Sequence, residues 1–311
     1  MKSYIRRLPV LIAVISVLVL SGVFLFGQVA QAAPWPTRPI EFTIPAGVGG
    51  GAYQYARFLI GLNVKGKYVV SQPIIPVNKD GGAKAVAMQS VLGQKGNEYQ
   101  MMITLNAFFT TPLFQKLPFS YKDFTPIALL ALDNFPLWVK NDSSYKTAAD
   151  FIEAAKKESL QVVGTGSKQE DEIVFRAIER IAGTKPFKYV PFKGGNDVAQ
   201  ALVGGHVVAT VNQVSEVGGF FPEFVRPLCV FQERRLNIPG YENVPTGKEA
   251  GIDLSYNMMR AIFAPPGISD EARDGLVGLF KKISEDKEWL AFAAKTGLKP
   301  TLMKRGNQSE V

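Results

Sequence analysis

Short apolar runs alternate with helix-like stretches along most of the chain, and this alternation constrains the fold more than any other feature. A strand, a helix and a second strand in succession are typical of a parallel sheet covered by helices. The predicted strands cover residues 40–44, 69–77, 100–105, 160–163, 187–190, 207–211, 228–231 and 258–264, and the predicted helices cover residues 52–63, 84–93, 148–158, 170–181, 198–203 and 271–282. The pattern therefore predicts an α/β fold class.

The alternation restarts after the apolar segment 135–139, which indicates a second lobe of the same class. A chain of 311 residues is also longer than one hydrophobic core usually holds. We expect one lobe to comprise residues 33–137 plus 257–311 and the other to comprise residues 138–256. Each lobe is predicted to be a doubly wound, mainly parallel sheet, and the chain is expected to cross between the lobes twice.

The N-terminus has the form of an export signal. Three basic residues precede an uncharged run over residues 8–27, and Ala30 and Ala32 are small residues where a signal peptidase requires them. We expect residues 1–32 to be a signal peptide and the mature protein to lie in the periplasm. An uncleaved membrane anchor is the alternative, because about 20 apolar residues can span a bilayer.

Composition gives little support to nucleic-acid binding or catalysis. The net charge of +8 comes from basic residues scattered among acidic ones, without the basic face that nucleic acids require, and it favours small anions. Cys229 and His206 are the only cysteine and the only histidine, and no metal-ligand spacing or nucleophile–base pair is present. We expect Cys229 to be buried in a strand, His206 to lie at the surface, and no cofactor or metal to be needed. A secreted hydrolase is kept as an alternative.

A glycine-rich loop follows the first predicted strand. Parallel sheets bind ligands where strands lead into helix N-termini, and consecutive glycines let backbone N–H groups approach an anion. The lysine and hydroxyl residue of a phosphate-binding loop are missing here. A merely flexible turn is the alternative interpretation. The candidate ligand-binding residues of this loop and the following helix start are Ala46, Val48, Gly49, Gly50, Gly51 and Tyr53.

A second candidate loop follows the strand at 160–163. Hydroxyl groups and glycine backbone N–H groups are good donors to a ligand carboxylate. The alternative is structural, because Ser167 and Glu170 have the spacing of a helix capping box. The candidate residues of this loop are Gly164, Thr165, Gly166, Ser167 and Glu170.

Further candidates lie at other strand ends. Thr104, Asn106 and Asn212 carry hydroxyl or amide groups that could orient a ligand. Phe108 is a candidate for stacking on a ligand, although core packing is the favoured interpretation. Lys193 could supply a cation, with a solvated turn lysine as the more common case.

Several phrases of the sequence resemble the substrate-binding proteins of tripartite tricarboxylate transporters, also known as Bordetella uptake gene proteins. These phrases lie at residues 35–40, in the glycine loop through residue 57, and at residues 117–119, 122–128, 191–195, 202–207, 244–251 and 264–267. Together they extend over nearly the whole exported chain, which makes them far more specific than any single phrase.

The resemblance implies a two-lobed periplasmic-binding-protein architecture that closes over a small organic acid held by the two glycine loops. It implies the large and small membrane subunits of a tripartite tricarboxylate-type transporter as partners, and no enzymatic reaction. A monomer is expected. A receptor that signals to a membrane sensor is an alternative that the sequence does not separate from transport.

Two departures from the family pattern bear on the ligand. The family's glycine loop usually ends in Thr-Asp, where this chain has Ala52 and Tyr53, and the loss of that carboxylate argues against an amino acid ligand. Acidic residues around Glu170 stand where many family members have a histidine. A carboxylate beside a carboxylate ligand is unfavourable unless a donor group intervenes, which argues against a plain dicarboxylate.

Overall fold

The computed structural model describes residues 35–48, 50–64 and 72–303. The predicted signal segment, residues 1–32, and the candidate Gly49 lie outside the described residues. The strands are β1 (Ile40–Ile44), β2 (Ile74–Asn78), β3 (Gln100–Thr104), β4 (Thr125–Asp133), β5 (Pro136–Lys140), β6 (Gln161–Thr165), β7 (Lys188–Phe192), β8 (Ala209–Thr210), β9 (Val225–Val230), β10 (Met258–Ala264) and β11 (Lys299–Met303).

The helices are α1 (Gly51–Val64), α2 (Ala85–Leu92), α3 (Ala107–Gln115), α4 (Ala148–Lys157), α5 (Glu170–Ala182), α6 (Gly195–Val203), α7 (Val214–Val217), α8 (Asp270–Ser284) and α9 (Lys287–Thr296). Short 3₁₀ turns lie at Gly82–Lys84, Tyr121–Asp123 and Gly218–Phe220. Within the described ranges, no helix is both long and apolar enough to cross a membrane.

The strands form two sheets, and the predicted α/β class is confirmed. One sheet has six strands in the order β11-β4-β10-β3-β1-β2, and the other has five in the order β7-β6-β8-β5-β9. We call each sheet with its helices the first and the second lobe. The strands of the second lobe all come from the middle of the chain, whereas those of the first come from both sides of it. The residue boundaries predicted for the lobes stay a prediction.

Both sheets are mixed, which differs from the mainly parallel sheets predicted from the alternation. β1 pairs in parallel with β2 and β3, and β6 pairs in parallel with β7 and β8. By contrast, β10 is antiparallel to β3 and β4, and β5 is antiparallel to β8 and β9. The physical reason in the first lobe is that β4 leads the chain out of the sheet and β10 brings it back, so these neighbours run in opposite directions.

The core of the first lobe is formed around strands that are buried along nearly their whole length. Every residue of β3 and four of the five residues of β1 are buried, as expected for central strands covered on both faces. Phe108 packs in a cluster with Phe124 and Phe263, so the favoured prediction of core packing is correct. Cys229 is buried in β9 and His206 is exposed, and both expectations are confirmed.

A buried ion pair joins the two strands that connect the lobes. Arg260 lies on β10, and its Nε and Nη2 atoms both donate hydrogen bonds to Oδ2 of Asp133, at the end of β4. The two side chains are only 2% and 1% exposed. Because an uncompensated buried charge is strongly unfavourable, each residue requires the other. This pair holds β4 and β10 together at the lobe crossing.

We expect Asp133→Ala to lower the free energy of unfolding by about 3–5 kcal/mol, because it leaves the Arg260 guanidinium buried without a counter-charge. Urea denaturation measures this change. The matched control is Asp142→Ala, which removes a pair with Lys140 in which the aspartate side chain is 70% exposed, so that it should cost about 1 kcal/mol or less. Equal losses in the two variants would contradict the structural role of the buried pair.

Candidate ligand-binding cleft

A cavity lies between the lobes, where loops at the carboxyl ends of strands lead into helix N-termini. Its volume is about 70 Å³, against roughly 300–1,000 Å³ for typical ligand pockets. We call it the interlobe cavity. Its described lining residues are Ala46, Gly47, Val48, Gly50, Gly51, Ala52, Lys84, Leu105, Thr165, Gln169, Glu170, Asp171, Lys193, Gly194, Gly195, Gln213, Glu216, Met258 and Arg260. Carboxylate side chains of the second lobe reach across this cleft to backbone N–H groups of the first lobe.

Glu216, on α7, reaches the N-terminus of α1 across the cleft. Its Oε1 atom accepts a hydrogen bond from the Gly51 N–H at 2.9 Å, and its Oε2 atom accepts one from Asn212 Nδ2 at 2.7 Å. Gly195 begins α6 beside it, where a Cβ atom would lie only 2.4 Å from Glu216 Cδ. The carboxylate therefore lies at the N-termini of two helices, where the helix dipoles favour a negative charge.

Asp171 occupies the second loop in the same way. Its Oδ2 atom accepts hydrogen bonds from the Thr165 N–H at 2.6 Å and from the Thr165 hydroxyl at 2.8 Å. Gly164 makes room for this contact, because a Cβ atom there would lie 2.4 Å from Asp171 Cβ and 2.8 Å from Oδ2. The other oxygen, Oδ1, is buried and has no hydrogen-bond partner among the described residues.

Burial raises the pKa of Asp171 to about 7. The hydrogen bonds from Thr165 oppose this rise, whereas the negative charges of Glu216 and Glu170 add to it. Burial likewise raises the pKa of Glu216, against hydrogen bonds from Gly51 and Asn212 and the attraction of Arg260. The carboxyl groups of the cleft are therefore close enough to repel one another.

Glu170, at the first residue of α5, reaches a third helix N-terminus. Its Oε1 atom accepts a hydrogen bond from the N–H of Ala107, which begins α3 in the first lobe. The capping box predicted from Ser167 and Glu170 is therefore wrong. Ser167 is exposed and donates instead to Glu172, because Glu170 is engaged by the opposite lobe.

Three cationic side chains line the described part of the cavity. Lys193 is exposed at the turn before α6, and the Lys84 Nζ atom lies 3.9 Å from Oδ1 of Asp80. Arg260 has its Nε and Nη2 atoms on Asp133, but its Nη1 atom is buried without a partner in the described ranges. Charged donors suited to an anion are thus present in the same cavity as the acidic side chains.

The structure brings part of the predicted site together. The candidates that line the cavity are Ala46, Val48, Gly50, Gly51, Thr165 and Glu170. Gly164 and Asn212 are not in the described lining but contact residues that are. Gly164 makes room for Asp171, and Asn212 donates a hydrogen bond to Glu216.

The remaining candidates lie elsewhere because other contacts engage them. Tyr53 packs against the core with the Arg57 guanidinium 5.9 Å from its ring, and the Thr104 hydroxyl donates to the Ala261 carbonyl. Asn106 bonds the backbone of Asn257 and Met259, ahead of and on β10. Gly166, with φ +64°, donates its N–H to Phe192. Ser167 and Phe108 take the exposed and core positions described above.

Sequence reasoning missed several charged cavity residues, and two of them had a signal. Arg260 is a single charge within the apolar strand at 258–264, which indicates a buried charge with a buried partner. Glu216 follows the end of β8, the same kind of position that singled out Asn212. Asp171 belongs to the acidic run around Glu170, in which no local pattern distinguishes it from Glu172, and Lys84 had no distinguishing pattern at all.

The family model described as "Tripartite tricarboxylate transporter family receptor" matches residues 62–310. The chain belongs to this family. A UPF0065 protein of Cupriavidus necator is 27% identical over 277 residues, which cover 88% of this chain and 83% of the relative. The resemblance inferred from the sequence is confirmed, and membership places the chain among periplasmic solute-binding receptors.

Solved structures share the fold of this family member. A TctC solute-binding protein from Polaromonas has a TM-score of 0.67 and 28% identity, with 87% of this chain and 92% of the other covered. A protein of R. palustris, solved with adipate, has a TM-score of 0.76 and 20% identity, with 86% and 89% covered. The two-lobed architecture of a periplasmic binding protein is thereby confirmed.

The raised pKa of Asp171 predicts a pH dependence of stability. The folded protein holds this proton up to about pH 7, whereas the unfolded chain releases it near pH 3.9. The contribution to stability is therefore complete below about pH 4 and is lost as the pH rises through about 7. We expect the melting temperature of the ligand-free protein to fall between pH 5 and pH 8.

Asp171→Asn should reduce the slope of that pH profile, and Glu216, whose pKa burial also raises, accounts for the slope that remains. Melting scans across the pH range measure this change. The control is Glu172→Gln, which removes an acid of the same helix whose hydrogen bonds go to Ser167, Lys168 and Arg176. An Asp171→Asn profile as steep as that of the control would show that Asp171 does not titrate in this range.

Proposed function

We propose that this receptor captures a small organic carboxylate between its lobes and delivers it to the large and small membrane subunits of a tripartite tricarboxylate-type transporter. The observation that carries the proposal is that both predicted anion-binding loops already bind carboxylates. The Gly51 N–H binds the carboxylate of Glu216, and the N–H and hydroxyl of Thr165 bind that of Asp171. Donors that stabilise these side chains are suited to a ligand carboxylate of the same chemistry.

Lobe closure provides the means of capture in this proposal. The contacts of Glu216 with Gly51 and of Glu170 with Ala107 each join the second lobe to a helix N-terminus of the first. A ligand carboxylate that takes the place of Glu216 at α1 would be held from both lobes at once. Binding would then favour the closed arrangement, and the membrane subunits would recognise that arrangement.

The neighbour solved with adipate supports an organic acid as the ligand class, since it shares the two-lobed fold. We further propose that the chain acts as a monomer without catalysing a reaction, after export by cleavage of residues 1–32. The buried Cys229 thiol agrees with a non-catalytic role, because burial raises its pKa to about 12 and a thiolate is the reactive form.

A thermal-shift screen of the exported protein, unfolded and refolded to remove carried-over ligand, tests this function. We expect at least one organic acid to raise the melting temperature in a saturable way, because it binds only the folded state. Lys193→Ala should weaken its affinity about tenfold by removing a charge-assisted hydrogen bond.

The matched control for the screen is Lys188→Ala. Lys188 is also exposed, but it lies on β7 and is not part of the described cavity lining. The Lys188→Ala variant should bind the acid with the same affinity as the unmodified protein. A cooperative melting transition that no carboxylate shifts would contradict the proposed function.

A further inference from the structure

The charges around the interlobe cavity are not those of a simple dianion receptor. Its described lining contains the acids Glu170, Asp171 and Glu216 and the cations Lys84, Lys193 and Arg260. The guanidinium of Arg260 is also already paired with Asp133. A ligand with two negative charges would therefore enter a cavity whose cations are balanced by nearby carboxylates.

The carboxylates differ in how far their hydrogen bonding is satisfied. Glu216 and Glu170 each accept a backbone N–H from the first lobe. Asp171 has both of its described hydrogen bonds on Oδ2, and its Oδ1 atom is buried without a partner in the part of the chain that the structure describes. An unsatisfied buried acceptor is unfavourable, so a ligand that donates a hydrogen bond there gains stability.

Arg260, which also lines the cavity, has an unsatisfied donor of positive charge. The Nη1 atom of Arg260 is buried and unpartnered within the described residues, although the other guanidinium nitrogens bind Asp133. Lys193, on the turn before α6, lies at the same cavity and is exposed. Two residues that line one cavity therefore each keep a buried atom that is unpaired within the described ranges, a cationic donor on Arg260 and a carboxylate oxygen on Asp171.

We propose that this cleft selects an acid that carries an ammonium group over a dicarboxylate of equal length, and that Asp171 determines the selection. The inference rests on the proposed function of carboxylate capture. The ligand carboxylate binds the cationic donors, and the ligand ammonium donates to Oδ1 of Asp171. Such a ligand satisfies both unpaired groups, whereas a second carboxylate would face three acids of the protein.

The high pKa of Asp171 agrees with this assignment. It results from burial and from the neighbouring Glu216 and Glu170, which disfavour the ionised form in the absence of a cation. A ligand ammonium beside the carboxyl group would favour ionisation. The carboxylate that the glycine loop lacks at Tyr53 is thus supplied by the second lobe, which reverses the argument from the sequence against an amino acid ligand.

The experiment compares ligands that differ only in one terminal group. Isothermal titration calorimetry at pH 8 measures the affinities of three pairs of ligands. The pairs are succinate and 4-aminobutyrate, glutarate and 5-aminovalerate, and adipate and 6-aminohexanoate. We expect at least one amino acid of these pairs to bind the refolded protein about tenfold more tightly than its dicarboxylate partner, as a charge-assisted hydrogen bond implies. Asp171→Asn should abolish that preference, chiefly by weakening the binding of the amino acid.

Glu172→Gln is the control, since it removes an acid of the same helix outside the cavity lining, and it should keep the preference of the unmodified protein. Glu216→Gln is a second variant at the cavity, and it should reduce the preference by removing a neighbouring negative charge, whether or not Asp171→Asn folds. A dicarboxylate preference in the unmodified protein, or a preference unchanged in both cavity variants, would overturn the inference while leaving carboxylate capture intact. Binding by neither series would overturn the inference, whereas carboxylate capture is overturned only if no acid of the thermal-shift screen stabilises the protein.

Discussion

The interaction on which the cleft depends is the contact between a carboxylate and the N-terminus of a helix. Glu216 and Glu170, both in the second lobe, accept backbone N–H groups from Gly51 and Ala107 in the first. These groups lack partners within their own helices, and the helix dipole adds partial positive charge at the same place. The contacts therefore join the lobes through the positions that are best suited to bind an anion.

A second electrostatic contact keeps the lobe crossing in place. The Arg260–Asp133 pair joins β10 to β4, the strands by which the chain enters and leaves the first lobe, and Arg260 also lines the cavity. The residue that stabilises the crossing is thus also part of the cavity wall, and its Nη1 atom has no partner among the described residues.

The sequence predicted the parts of the structure that depend on local patterns. The strand–helix alternation predicted the α/β class, and the glycine loop before α1 predicted where an anion-binding N–H group lies, because both signals are contained in a few neighbouring residues. The mixed sheets were missed because pairing direction depends on how β4 and β10 connect the lobes. α3 was missed because Pro112 and the Phe108–Phe109 pair obscure its helical pattern. The capping box failed because Glu170 has a partner 63 residues away in sequence, and such a tertiary contact overrides a local one.

The central claim is that a ligand carboxylate binds the helix N-terminus that Glu216 occupies in this structure, the Gly51 N–H at the start of α1. Its most direct test is an NMR titration that follows the backbone amide resonance of Gly51 as an organic acid is added. We predict a large, saturable shift at the Gly51 amide, and no comparable shift at the Lys188 amide on β7. Saturable binding that leaves the Gly51 amide unmoved would contradict the claim.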